Sequence, residues 1–288
     1  MRSKLFVPGV RPELFAKALA GDADALSFDL EDSVPESRKD EARANVSAFL
    51  QSPAASAAAK LMVVRVNGLH TPHLQADLAA VAHPGVALIN LPKVESAQDV
   101  RAAVAMLERA EADNGLATPI RLLANIETPR GLRLAAEIAA AHPRVAGLQV
   151  GLADLFEPFG IDRRDPANVH ATLYAIRMAA AEAGVFAWDA AFADVEDADG
   201  FRAEAGMARR LGYVGKSCIH PRQVALANDV FKPDAEEIAS ARRIVAAAQQ
   251  AGGAGRGAFL VDGRMVDLPF LKRAEALLAS LDSNASDS

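Results

Sequence analysis

Ile120-Arg-Leu-Leu-Ala-Asn-Ile-Glu127 and Val145-Ala-Gly-Leu-Gln-Val-Gly-Leu-Ala-Asp154 decide the reading of this chain. Each is a short apolar run of strand length that stops at or just before a carboxylate. The two carboxylates lie 27 residues apart, about one strand–helix–strand repeat. In a parallel αβ barrel successive strands end on one face, and the active site is built there. Two anionic oxygens converging on that face suit a hard cation, Mg²⁺ or Mn²⁺, with water and substrate oxygens filling its other positions.

The same pattern extends in both directions. Strand-like runs occur at Lys4–Val7, Ala25–Asp29, Leu61–Val66, Val86–Leu91, Ile120–Ile126, Val145–Val150, Val185–Trp188 and Tyr213–Ser217. Ala-rich stretches of helical period fall between them, among them Arg38–Leu50, Ser96–Asn114, Pro129–Ala141, Ala167–Ala183 and Gly200–Leu211. Eight such units predict an α/β fold, a (β/α)8 TIM barrel over residues 1–232. The main rival is a doubly wound open sheet, but no Gly-rich phosphate fingerprint follows the first strand. Residues 233–288 read as a helix–hairpin–helix extension. In it a helix near Asp234–Ala251 precedes the Gly-rich hinge Gly252–Gly257. The hairpin Ala258–Val266 turns at an Asp-Gly dipeptide. A last helix ends near Leu281, before a polar tail, Asp282–Ser288.

Composition narrows the function. A net charge of −6, from 31 basic and 37 acidic residues, argues against nucleic acid as the main partner. The single cysteine, Cys218, excludes an intrachain disulfide and a cysteine-cluster zinc site, and fits a reducing compartment. No apolar run approaches the roughly 18 residues of a membrane span. The chain enters a strand at once, without a leader, so a cytoplasmic enzyme is expected.

Charged residues follow nearly every strand: Asp29, Glu31 and Asp32 after the second, Arg65 at the third, Lys93 after the fourth, then Glu127, Asp154, Asp189 and Lys216. Thr128 before Pro129 is the better helix cap, which frees Glu127 for a metal. Arg65 closes a run too apolar to hold an unpaired cation. It either pairs with the Asp29–Asp32 cluster or binds a substrate oxygen, and both can hold together. Glu31 and Asp32 are candidates to orient Arg65 or to bind metal-bound water. Lys93 reads as an ion-pair residue rather than a Schiff-base lysine. His70 and His73 read as a solvent loop, His220 as a helix-start residue and Cys218 as a small buried one.

In order along the chain stand Arg2-Ser-Lys-Leu-Phe-Val-Pro-Gly9, Phe28-Asp-Leu-Glu-Asp-Ser-Val-Pro35, Lys39 with Ala42-Arg43, Arg65-Val-Asn67, Leu91-Pro-Lys93, Glu127, Gly151 to Asp154, Gly215-Lys-Ser-Cys-Ile-His-Pro221 with Gln223, and Val261-Asp-Gly-Arg-Met-Val-Asp267. This ordered set resembles the citrate lyase beta-subunit-like and malyl-CoA lyase superfamily over nearly the whole chain. The resemblance implies a metal-dependent TIM barrel that assembles as a homotrimer or hexamer. It implies Mg²⁺ on Glu127 and Asp154, substrate oxygens on Arg65, and coenzyme A contacts from Arg2, Lys4 and Arg11. It further implies that Asp267, supplied by a neighbouring protomer, handles the proton on the acetyl carbon. Many members carry an acidic residue where this chain has Ala153.

The expected activity is carbon–carbon cleavage of a malyl-CoA or citramalyl-CoA class thioester to acetyl-CoA and a 2-oxo acid. The alternatives are a CoA-independent class II pyruvate aldolase, a malyl-CoA thioesterase, and a citrate lyase beta subunit working with an acyl carrier protein.

Overall fold

A computed structural model describes residues 1–253 and 258–285; residues 254–257 of the expected hinge and 286–288 of the tail lie outside the described residues. The chain divides into two compact units, Met1–Phe231 and Lys232–Ser288.

The first unit is a parallel barrel. Its strands are β1 (Ser3–Pro8), β2 (Ala25–Asp29), β3 (Leu61–Arg65), β4 (Val86–Leu91), β5 (Arg121–Ile126), β6 (Val145–Val150), β7 (Phe186–Trp188) and β8 (Lys216–Cys218). They hydrogen-bond in the order β7-β6-β5-β4-β3-β2-β1-β8. Closure between β7 and β8 rests on one bridge, Asp189 to Lys216, and on the backbone bond from Val214 N–H to Ala187 O, 3.0 Å. The eight runs expected from hydropathy are the eight strands, with ends moved by a few residues.

Helices lie outside the strands and bury one face each. Ala97–Asp113 buries Val100, Val104 and Leu107 at helical spacing, and the Ser96 side chain caps it by accepting the Asp99 N–H. The expected helix Pro129–Ala141 is instead two, Pro129–Arg133 and Ala135–Ala139, because Leu134 leaves helical dihedrals at φ −105°, ψ 15°.

Residues paired in register across parallel strands share a face. Asp29 pairs with Arg65, Arg65 with Asn90, and Asn125 with Gln149, so this polar set faces the barrel axis. Below it Val63, Leu88, Leu123, Ala146 and Trp188 form an apolar plug. The axis is thus sealed at one end and polar toward the end where strands stop.

The strand-end pattern assigns Asp189 and Lys216 to the open rim, and the structure corrects that. Both are fully buried at the β7–β8 seam, where Lys216 Nζ lies 2.7 Å from Asp189 Oδ2 and 2.6 Å from Glu204 Oε1. Arg163 adds a 2.7 Å pair to Glu204. The helix that carries Glu204, Ala198–Arg210, brings this carboxylate to the seam from outside the barrel.

The second unit holds a helix (Ala235–Gly253), an antiparallel hairpin of β9 (Phe259–Val261) and β10 (Arg264–Val266), and a helix, Leu268–Ala285. The hairpin turns through Asp262 at φ 49° and Gly263 at φ 76°, the left-handed pair that a two-residue turn needs. Leu260, Met265, Leu268 and Phe270 stand exposed on it and just after it.

Removing one member of a buried ion cluster strands the others. Lys216→Met should lower the unfolding free energy by about 3–5 kcal/mol, read by denaturant titration. A loss under about 1 kcal/mol would show that the cluster does not hold the seam.

Candidate active site

The site grows from the ends of β2 to β6. Asp29 closes β2, buried, and accepts the backbone N–H groups of Glu31 at 3.0 Å and Ser33 at 3.1 Å. Its two oxygens take Nε and Nη2 of Arg65, each at 2.7 Å. This is the bidentate fit that a guanidinium offers a carboxylate. Burial alone would raise the Asp29 carboxyl, but the Arg65 charge and these bonds outweigh it and hold it below its usual range. The remaining edge of Arg65 faces Glu31 at 3.0 Å and Asp32 at 3.2 Å, and the guanidinium lies 5.0 Å over the Phe6 ring. Of the two readings of Arg65, the structure shows the pairing with the acidic cluster.

Lys93 follows β4 with φ 52°, a left-handed backbone uncommon for a residue with a side chain. That backbone directs its N–H at Glu127 Oε1, 2.7 Å away, while its Nζ lies 2.8 Å from Glu31 Oε1. The lysine is an ion-pair residue, as expected.

Glu127 is 3% exposed. Thr128 caps the next helix by accepting the Gly131 N–H at 3.0 Å, so Glu127 has no capping duty. Its other oxygen meets Asn125 Nδ2 at 3.4 Å. Gly151 makes room for it: a Cβ there would lie 2.4 Å from Glu127 Oε2. Burial, then the charges of Glu31 and Asp154, push the Glu127 carboxyl up to about 7. Asp154 sits exposed in the first turn of Leu152–Phe156, whose cap position is Gly151, so it is not a cap either.

This charge balance fits a cation. Asp29, Glu31 and Asp32 pair with Arg65 and Lys93, whereas among the described residues no ion pair reaches Glu127 or Asp154. Among the described residues no three His, Cys, Asp or Glu side chains form a ligating group. A divalent ion on Glu127 and Asp154 would thus keep most positions for water and substrate oxygens, as Mg²⁺ prefers.

Two residues that shape the site escaped the sequence reading of roles. Lys39, buried, donates to Leu30 O and Glu31 O, both 2.7 Å, and to Asn67 Oδ1, 2.6 Å. Asn67 donates in turn to Leu30 O at 2.9 Å and to Asp77 Oδ2 at 2.6 Å. This pins the Asp29–Asp32 loop. The signal was present, since Lys39 shares the buried helix face of Ala42, Val46 and Leu50. A cavity of about 360 Å³ flanks the loop, bounded by Glu31, Lys39, Asn67, His73 and Lys93.

The structure separates the three basic residues expected to contact coenzyme A. Arg11 follows β1 on the site face, exposed and paired with Glu13. Arg2 precedes β1, at the opposite end, and pairs with Asp24 at 2.7 Å. Lys4 is 1% exposed inside the barrel, hydrogen-bonded to Gln149, with its Nζ 5.0 Å over Phe6 and 5.6 Å over Trp188. Burial first, then the Arg65 charge, lowers its pKa well below the ordinary lysine range. Asp267 belongs to the second unit, and one of its oxygens is shielded without a hydrogen-bond partner. His73 pairs with Glu36 at 2.7 Å, and His220 Nδ1 accepts the Arg222 N–H at 3.2 Å at a helix start. Cys218 is buried, which pushes its thiol up to about 12.

The HpcH/HpaI aldolase/citrate lyase family profile matches residues 2–221. An L-malyl-CoA/beta-methylmalyl-CoA lyase of Cereibacter sphaeroides is 36% identical over 298 residues, covering 96% of this chain and 93% of that protein. A citrate lyase subunit beta of Haemophilus influenzae is 36% identical over 283 residues, covering 96% and 95%. The crystal structure of protein CitE from Mycobacterium tuberculosis, in complex with magnesium, acetoacetate and coenzyme A, superposes with a TM-score of 0.74. It is 35% identical, over 96% of this chain and 97% of that one.

Glu127 sets a pH dependence. Its carboxyl sits near 7 when folded, above its ordinary 4.5. Its contribution to stability is therefore full below 4.5 and drains away as pH rises toward 7, a change of about 3 kcal/mol. Metal-free Glu127→Gln should lack that slope and be more stable than the metal-free parent above pH ~7 by up to about 3 kcal/mol. Parallel denaturation curves for the two chains from pH ~4 to ~8 would contradict the assignment.

Proposed function

Because the chain belongs to the HpcH/HpaI aldolase/citrate lyase family, we propose that it is a Mg²⁺-dependent carbon–carbon lyase. It cleaves a 3-hydroxyacyl-CoA thioester of the malyl-CoA or citramalyl-CoA class to acetyl-CoA and a 2-oxo acid. The observation that carries this reading is the carboxylate excess around Glu127, with Arg65 held beside it at the same barrel mouth.

Glu127 and Asp154 hold the Mg²⁺, which when bound supplies Lewis-acid polarisation of the substrate's oxygens. Lys93 and Asn125 keep Glu127 oriented through their N–H groups. Arg65 directs its outer N–H edge at the substrate's anionic oxygens and favours negative charge there as the carbon–carbon bond breaks. The Asp29 pair fixes that edge, so little reorganisation is needed during reaction. Asp267 of a neighbouring copy gives a proton to the acetyl carbon on cleavage and takes it in the reverse condensation.

Arg11, exposed on the site face, is the coenzyme contact with structural support; the placements of Arg2 and Lys4 speak against direct contact by either. The exposed Leu260, Met265, Leu268 and Phe270 support assembly as a homotrimer or hexamer, in which such a patch is covered. No described helix is long and apolar enough to cross a membrane. The lone buried Cys218 supports a cytoplasmic location. A second reading, a citrate lyase beta subunit acting with an acyl carrier protein, is favoured by the equal 36% identity to the Haemophilus influenzae protein.

The purified chain alone, given malyl-, citramalyl- and methylmalyl-CoA with Mg²⁺, should release a 2-oxo acid, and a chelator or Asp154→Ala should abolish that release. Inertness toward all three, with activity only on a carrier-protein thioester, would favour the second reading. Asp267→Asn should slow turnover by roughly 10²–10⁴ without loss of fold. Mixed with inactive Arg65→Ala protomers, it should regain activity. No recovery after verified subunit exchange would place Asp267 in its own protomer's chemistry or outside it.

A further inference from the structure

Glu31 and Asp32 each divide their two oxygens between two cations. Glu31 sets Oε2 3.0 Å from Arg65 Nη1 and Oε1 2.8 Å from Lys93 Nζ. Asp32 sets Oδ2 3.2 Å from the same Nη1 and Oδ1 3.5 Å from the same Nζ. The other edge of Arg65 is closed, because Asp29 is buried and takes both Nε and Nη2. The edge left for a ligand is therefore the Nη1 edge, and two carboxylates already stand on it.

An anionic substrate group cannot share that edge with both, because like charges at such range repel. The carboxylates must yield; Asp32 is exposed, but Glu31 is buried, and its carboxylate released without a partner is unfavourable. Lys93 removes this difficulty. It holds the oxygens of Glu31 and Asp32 that Arg65 does not touch, so both can turn from Arg65 without losing their second cation. Its placement is set from the main chain, by the left-handed φ of 52° and the amide bond to Glu127. Such a conformation persists only where the surroundings over-determine it.

We infer that Lys93 is a positioning residue that retains Glu31 and Asp32 when the substrate's anionic oxygens displace them from Arg65. The inference rests on the reading of Arg65 as the substrate's oxygen contact. Without the Lys93 ammonium, the described ion pairs leave both carboxylates on Arg65 alone, and they block it.

The test is calorimetric binding of oxalate, a small mimic of a 2-oxo acid, to the full chain with Mg²⁺ present. Lys93→Met, which keeps the backbone amide, should weaken binding about five- to tenfold while Mg²⁺ affinity and melting temperature hold. Adding Asp32→Asn to Lys93→Met should recover most of that loss, which a merely structural defect would not do. Unchanged binding by Lys93→Met, or no recovery in the double variant, overturns the inference and leaves the Arg65 reading standing. Failure of the parent chain to bind oxalate, or undiminished binding by Arg65→Ala, overturns the Arg65 reading and the inference with it.

Discussion

Arg65 is the interaction on which the barrel mouth depends. Asp29, Glu31 and Asp32 all lean on its one guanidinium, and two of them share the Lys93 ammonium as well. Burial disfavours the Arg65 charge, yet the three carboxylates more than restore it. Among the described residues the Glu127 side chain meets only N–H donors, and burial, then the charges of Glu31 and Asp154, raises its carboxyl. The mouth thus divides into a half whose carboxylates meet cations and a half where Glu127 meets only N–H donors among the described residues.

Backbone geometry keeps these halves apart. Lys93 accepts a left-handed conformation so that its amide and its ammonium serve different carboxylates. Gly151 gives up its side chain so that Glu127 can lie against the β6 loop. Lys39 and Asn67 tie the acidic loop from behind, through carbonyls rather than charges. Rigid support of this kind lets a site hold charges that would otherwise collapse onto one another.

Much of this was legible before the structure. Strands buried on both faces read as apolar runs at a regular spacing, and Glu127 and Asp154 interrupt that pattern where strands end. The Thr-Pro cap that frees Glu127 is written in two adjacent residues. What escaped was long-range. Asp189 and Lys216 look like two more rim charges because a strand-end rule cannot see that they meet each other and Glu204 at a seam. The resemblance implies a coenzyme contact for Lys4, whereas its strand turns it to the axis, against Gln149. The tie from Lys39 to Asn67 spans 28 residues, and no local pattern reports it.

The order of pairing has a consequence for how the chain is made. β1 comprises residues Ser3–Pro8, and its second neighbour, β8, comprises Lys216–Cys218. A ribosome adding roughly 5–20 residues per second therefore leaves one flank of the first strand uncovered for on the order of 10–40 s. During that interval the nascent chain carries an open sheet edge, the form most apt to capture a strand from another chain. Correct birth of this enzyme depends on keeping that edge solitary until its last barrel strand emerges from the exit tunnel.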